Sequence, residues 1–166
     1  WCSFRWWCYR CCCYKVTIMS KIVYTNSDGT IAIIHPIGSI ANGLKAIPAG
    51  ISTYTVVEDS IIPSDRTFRS SWVQVGTGTT ATVSEDMTKA REIHKTNIRT
   101  AREPLLTALD VEFQKAQETS AGITTIVAKK QALRDAPAAS GISTAANATE
   151  LKAQWDTSIL GSTPYA

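Results

Sequence analysis

The chain has 166 residues, a formal net charge of +3 and 44% hydrophobic residues, a length that suits one ordinary domain or two small ones. No apolar run approaches the ~18 residues that a membrane span requires, so the sequence predicts no membrane segment. All five cysteines precede Tyr14, which excludes disulfide and thiol chemistry for the rest of the chain and favours synthesis in a reducing compartment.

Residues 1–18 differ in composition from everything that follows, since they hold all five cysteines, three of the five tryptophans and no acidic residue. Shifted by one base, the codons of Trp1-Cys2 encode glycine, and those from Cys11 to Tyr14 encode valine or alanine. The codons of Val16-Thr17 can then contain a stop. We therefore expect residues 1–18 to be an out-of-frame leader, extended, disordered or poorly packed, and the protein proper to start at Met19.

The charge balance changes when this leader is removed. The basic count falls from 17 to 14, because Arg5, Arg10 and Lys15 are lost, and the acidic count stays at 14. The net charge then falls from +3 to zero. The excess of positive charge is therefore no argument for a nucleic acid or a membrane surface as partner.

A metal site is the alternative interpretation of the leader, because Cys8 and Cys11 form a C-x-x-C pair. Zinc usually requires a second such pair or a pair of spaced histidines. The sequence offers no second pair, and His35 and His94 lack ligand spacing. We therefore expect no metal and no cofactor.

A β-rich part follows Met19. Lys21–Thr25 and Thr30–Ile34 are rich in β-forming residues and flank Asn26–Gly29, a turn sequence that predicts a hairpin. Ser52–Glu58 alternates and predicts a third strand.

The next segment predicts a short helix and then a linker. Ser64 or Asp65 can cap the helix, which would place Phe68 and Trp72 on one face as an aromatic pair in the small core. Residues 76–83 are rich in glycine and threonine and carry no charge, which is typical of a linker.

Helical periodicity begins after the linker. Ser84 is the expected N-cap of a long helix whose apolar residues recur from Met87 to Ala116. Pro104 falls inside this pattern and predicts either a kink or the start of a new helix. A second helix is expected to stop at Pro137, and Thr149 can cap a last short helix.

These patterns predict an α+β protein. A small β-rich domain would span residues 19–75, a linker residues 76–83, a helical domain residues 84–160 and a tail residues 161–166.

The first long helix carries four cations at steps of four, four and three residues. These residues are Arg91, Lys95, Arg99 and Arg102. A solvated face relieved by Glu92 and Glu103 is the ordinary interpretation of such a run. The functional interpretation is a docking face for an acidic partner. A nucleic-acid-binding accessory protein is a third hypothesis, which the net charge of zero disfavours.

Two histidines raise the alternative of a small hydrolase. His35 or His94 would need a nucleophile and an orienting carboxylate within reach to act as a base. No local motif supplies them, and a packed or half-exposed structural histidine is the simpler interpretation of both.

Several short stretches resemble small proteins encoded near the tail-fibre genes of tailed bacteriophages. The most specific are D-R-x-F-R-x-x-W at residues 65–72 and Q-A-L-R-D at residues 131–135, and K-A-R-E-I-H at residues 89–94 is a third. The C-terminal half looks like the helical module of tail-fibre assembly proteins.

That resemblance implies virion morphogenesis by protein–protein binding, and it supplies no catalytic residues. It implies a phage tail or tail-fibre protein as partner. The helical half is also small, so we expect its apolar stripes to be incompletely buried alone, which predicts a homo-oligomer or a hetero-complex. The resemblance also implies a location in the virion tail or, during assembly, in the host cytoplasm.

Overall fold

Small antiparallel sheets form the N-terminal part of the structure and helices form the C-terminal part. The computed structural model describes residues 20–165. About 51% of the described residues are helical and 16% are in strands, which confirms the predicted α+β class. The expected leader at residues 1–18 lies outside the described residues.

The first sheet has three antiparallel strands in the order β2-β1-β3. Strand β1 spans Ser20–Thr25, β2 spans Ile31–Ile34 and β3 spans Tyr54–Glu58. The predicted hairpin and third strand are therefore confirmed. Because β1 is the central strand, its Ile22 and Val23 are fully buried.

The hairpin turn forms for the reason that its sequence indicates. The carboxylate of Asp28 accepts hydrogen bonds from the backbone N–H of Thr30 at 2.9 Å and from its hydroxyl at 2.6 Å. Gly29 adopts a φ of +79°, which favours glycine because it has no Cβ. A short helix, α1 (Ile40–Leu44), follows this hairpin and is capped by the side chain of Ser39.

A second hairpin occupies the segment that was expected to be a linker. Strand β4 (Trp72–Val75) pairs with β5 (Thr82–Glu85), so residues 76–83 form the turn and the start of β5. Ser84 lies in this ladder, and its prediction as the helix N-cap is wrong. Asp86 is the N-cap, and its carboxylate accepts hydrogen bonds of 2.9 and 3.3 Å from backbone N–H groups in the first turn. The backbone pairing of this hairpin overrides the local capping preference here.

Five helices form the rest of the described chain. They are α2 (Met87–Glu118), α3 (Thr124–Asp135), α4 (Ser140–Thr144), α5 (Ala148–Lys152) and α6 (Thr157–Leu160). Helix α2 is by far the longest, and α3, α5 and α6 all pack against it.

The helix boundaries agree with the sequence at some points and differ at others. Helix α2 runs through the exposed Pro104, so a new helix beginning there is the wrong alternative. Helix α3 ends just before Pro137, as expected. The last short helices are capped by Asn147 and Asp156 instead of Thr149, because each of these side chains accepts a backbone hydrogen bond in the following turn.

The segment between β3 and β4 ties the sheets to the helices. A 3₁₀ turn, Arg69–Ser71, separates Phe68 from Trp72, so the two rings do not share a helix face. Phe68 lies in the core of the helical part, whereas Trp72 lies in the core of the sheets, so the predicted aromatic pair is wrong. Asp65 caps no helix, and its carboxylate instead pairs with Lys152 of α5 at 2.6 Å. Phe68 therefore ties the segment before β4 to the helical core, and the division of the chain into independent domains stays a prediction.

Candidate partner-binding cleft

An open cleft lies between α2 and the segment that follows α3. Its volume is about 390 Å³. Four cationic side chains line it: Lys95, Arg99, Arg102 and Arg134. The opposite wall consists of Pro137–Ala139 and Ser143. No acidic residue is among these lining residues, so the cleft is a concentrated positive site on a chain of low net charge.

Arg102 positions one end of the cleft. Its Nη1 donates hydrogen bonds to the backbone carbonyls of Leu133 at 3.2 Å and Arg134 at 2.8 Å. Carbonyls at the end of a helix lack N–H partners within the helix, and the helix dipole favours a cation there. Arg102 therefore anchors the end of α3 to α2 and holds its own guanidinium at the rim of the cleft.

Arg91 has a structural role at the other end of the basic face. Its Nη2 donates a 2.9 Å hydrogen bond to the backbone carbonyl of Ala145, which follows α4. Ala145 is buried in the helical core, so this bond fixes the segment that forms the far wall. Two of the four predicted binding residues, Arg91 and Arg102, thus hold backbone carbonyls of the fold.

Lys95 and Arg99 lie between these two anchors on α2, and Arg99 is the exposed one of the four predicted binding residues. Lys95 pairs with Glu92 at 2.8 Å on the same helix, and 29% of the Lys95 side chain is exposed. The hydrogen bond from Lys95 and the charges of Lys95 and Arg99 hold the pKa of Glu92 below its usual value. Arg99 is exposed and, among residues 20–165, its side chain makes no ion pair. The solvated-face interpretation therefore describes the Glu92–Lys95 pair, whereas Arg99 remains accessible to a ligand.

Arg134 also lines the cleft, although it is not among the four cations that the sequence predicts as binding residues. It lies in the last turn of α3 and is exposed. Pro137 is the sequence signal that could have indicated the position of Arg134. Because α3 ends just before Pro137, Arg134 must lie in the last turn of that helix. Its position beside α2 depends on how the two helices pack, which the sequence does not specify.

His94 lies in an aromatic cluster instead of a catalytic arrangement. It is fully buried, and its Nδ1 lies 2.7 Å from the hydroxyl of Tyr165. Its ring stacks on Tyr165 with centroids 5.5 Å apart and meets the edges of Phe68 and Trp155. Burial lowers the pKa of His94, because desolvation disfavours the charged imidazolium. Tyr165, from the expected tail, thus completes the helical core.

His35 is exposed at the end of β2. Within residues 20–165, neither histidine forms an ion pair with a carboxylate. The same residues hold no group of three or more side chains that could bind a metal ion. None of their helices is both long enough and apolar enough to cross a membrane.

A second, more apolar cleft of about 330 Å³ lies between α2, α3 and α6. Leu105, Leu109 and Ile159 contribute to its lining. Leu109 is buried, whereas Leu105 is only partly buried, so this helical face retains apolar surface for a further contact.

No family model, curated protein or solved structure matches the chain.

Proposed function

We propose that the protein is a bacteriophage tail-associated protein that acts by binding another protein, either as a virion component or as a tail-fibre assembly factor. The observation that carries the binding role is the cationic cleft. Among residues 20–165, the exposed side chains of Arg99 and Arg134 make no ion pair, so both cations are accessible to a ligand. A charged, accessible and partly preorganised surface of this kind suits recognition of an acidic partner.

The phage assignment rests on the resemblance of the short motifs. The motif at residues 65–72 supplies Phe68 to the helical core and Trp72 to the sheet core. The motif at residues 131–135 supplies buried Leu133 and the cleft residue Arg134. Both motifs therefore contain residues on which the two cores or the cleft depend. This supports the use of these motifs as the basis of the resemblance.

Binding is preferred to catalysis because of the surroundings of the histidines. A general base needs a substrate-accessible position and an orienting group. His94 is buried among aromatic rings and His35 lies alone at a strand end. The cleft itself contains only cations, small residues and one serine hydroxyl, and Ser143 donates that hydroxyl to the carbonyl of Ser140 at 2.7 Å.

The proposed partner is a phage tail or tail-fibre protein, in the virion or in the host cytoplasm during assembly. The apolar cleft beside Leu105 and Ile159 offers a second contact area, either for that partner or for another copy of the chain.

The test is co-purification with the tail-fibre protein encoded beside this gene, together with mass spectrometry of purified virions. We expect the fibre protein to be recovered with the chain. Arg99→Glu should abolish recovery, and Lys115→Glu, an exposed charge reversal on the same helix, should leave it unchanged. Absence of the chain from virions together with no recovery of any tail protein would contradict the proposal.

A further inference from the structure

We infer that the cleft binds an extended acidic segment of the partner in which carboxylates recur at every second residue. This inference rests on the proposed function and adds the chemical class of the ligand. It is carried by three features of the site: the spacing of the cations, the fixed orientation of one of them, and the absence of acidic or bulky groups from the facing wall.

The spacing of the cations on α2 matches an extended peptide. Lys95, Arg99 and Arg102 are four and three residues apart, which corresponds to steps of ~6 Å and ~4.5 Å along the helix axis. Side chains on one face of an extended chain recur every second residue, about 6.6–6.8 Å apart. Long cationic side chains can span the remaining difference. Successive carboxylates of such a peptide would therefore each find a cation, with Arg134 available from the opposite side.

The chemistry of the cations favours carboxylates. Three of the four are arginines, whose planar guanidinium groups bind a carboxylate through two parallel hydrogen bonds. The hydrogen bonds of Arg102 to the end of α3 use Nη1 only, so they fix its orientation and leave other N–H groups to donate. A cation held in place by the fold loses less conformational entropy when a ligand binds.

The facing wall leaves room for a backbone. It consists of Pro137, two alanines and Ser143, and the alanines and Ser143 are exposed. Small side chains allow a peptide backbone to lie close to this wall while its acidic side chains point towards α2.

A nucleic acid is the less favoured ligand. Single-stranded nucleic acid is usually bound with bases stacked on aromatic side chains, and no aromatic residue lines the cleft. A duplex needs an extended basic surface, whereas residues 20–165 carry as many acidic as basic side chains, 14 of each.

The experiment is isothermal titration calorimetry of the full chain with a synthetic peptide. This peptide has aspartate at every second position, and glycine or serine at the positions between. Three other ligands are compared with it. One peptide has asparagine in place of each aspartate, one has the same number of aspartates in a single block, and the last ligand is duplex DNA of equal charge. We expect the alternating peptide to bind most tightly and its affinity to fall as salt is added.

The variants Arg99→Gln and Arg134→Gln should each weaken binding of the alternating peptide about tenfold, which equals about 1.4 kcal/mol. Lys115→Gln is the matched control and should bind as the parent does. Both test residues are exposed, so circular dichroism should show folded variants. Equal binding of the asparagine peptide, tighter binding of the DNA, equal binding of the block peptide or unchanged affinity in both variants would overturn the inference.

Failure of this inference and failure of the proposed function give different results. If the chain recovers the fibre protein but does not prefer the alternating peptide, the ligand class is wrong and the tail-associated function stands. If it prefers the peptide but recovers no tail protein and is absent from virions, the function is wrong and the ligand class stands.

Discussion

Replacing Phe68 with alanine tests whether the sheets and the helices form one cooperative unit. Phe68 precedes β4 but is fully buried in the helical core. The centroid of its ring lies 5.5 Å from the ring centroid of Tyr165 and 6.3 Å from that of His94. Truncating a buried phenylalanine costs about 3–5 kcal/mol through lost burial and the cavity that remains. Contact with two further rings places Phe68→Ala towards the upper part of that range.

This loss is a large fraction of the 5–15 kcal/mol by which proteins of this size are usually stable. It should lower the melting temperature by on the order of 10 °C. The assay is urea unfolding followed by far-ultraviolet circular dichroism, with amide hydrogen exchange to read β1 and α2 separately. Both elements should lose protection to a similar extent, because Phe68 ties the segment that leads into β4 to the helical core.

Phe113→Ala is the matched control for this experiment. Phe113 is only half-buried near the end of α2, with the Nζ of Lys130 5.0 Å from its ring centroid. Its truncation should cost about 1–2 kcal/mol, since less apolar area is lost. A cost at Phe68 no larger than that at Phe113, or lost protection in β1 alone, would refute this coupling between the sheets and the helices.

Three further predictions concern stability. The pKa of His94 is lowered by burial from 6.5, so the unfolded chain binds the proton more readily and the free energy of unfolding should fall as the pH drops below 6.5. Urea unfolding at pH 7.5 and 5.5 measures this fall, and His94→Gln should show a smaller one; an equal fall would contradict the assignment. The hydrogen bond from Lys152 lowers the pKa of Asp65 to about 2 from 3.8, so this pair should stabilise the fold above pH 3.8 and lose its effect as the pH falls towards 2. Because these side chains are 28% and 36% exposed, a double-mutant cycle of Asp65→Asn and Lys152→Met should give a coupling of only about 1 kcal/mol, and a value of zero would argue against the pair. Pro104→Ala should raise the melting temperature, because an interior proline costs a helix up to about 3 kcal/mol, and a lower melting temperature would indicate that the proline shapes α2.

The sequence was most informative where structure depends on neighbouring residues. The turn between β1 and β2 follows from Asp28 and Gly29, whose local hydrogen bond and positive φ need nothing from the rest of the chain. The end of α3 before Pro137 is local in the same sense. These features could be predicted because the causes lie within a few residues of the effect.

The sequence was misleading where strand pairing or core packing competes with local preference. Ser84 is a good N-cap residue by type, but pairing of β5 with β4 extends the strand past it and moves the cap to Asp86. Phe68 and Trp72 are four residues apart, which suggested a common helix face, whereas a 3₁₀ turn sends them into different cores.

Only part of the candidate site could be predicted from the sequence, because the rest depends on contacts between residues far apart in the chain. Four of the cations on α2, from Arg91 to Arg102, could be placed on one face from their spacing alone. The roles of Arg91 and Arg102 could not, because their carbonyl partners lie 54 residues and 31 or 32 residues further along the chain. Arg134 joins the cleft only through the packing of α3 on α2.

The most direct test of the proposed binding role is site-specific photo-crosslinking during co-expression with the neighbouring tail-fibre protein. A photoreactive amino acid replaces Ala138, which lines the cleft and leaves its cations intact, or Lys115, which lies outside it. We predict an adduct from position 138 to an acidic segment of the fibre protein and none from position 115. Equal adducts from both positions, or an adduct from position 138 only to segments without carboxylates, would contradict the account.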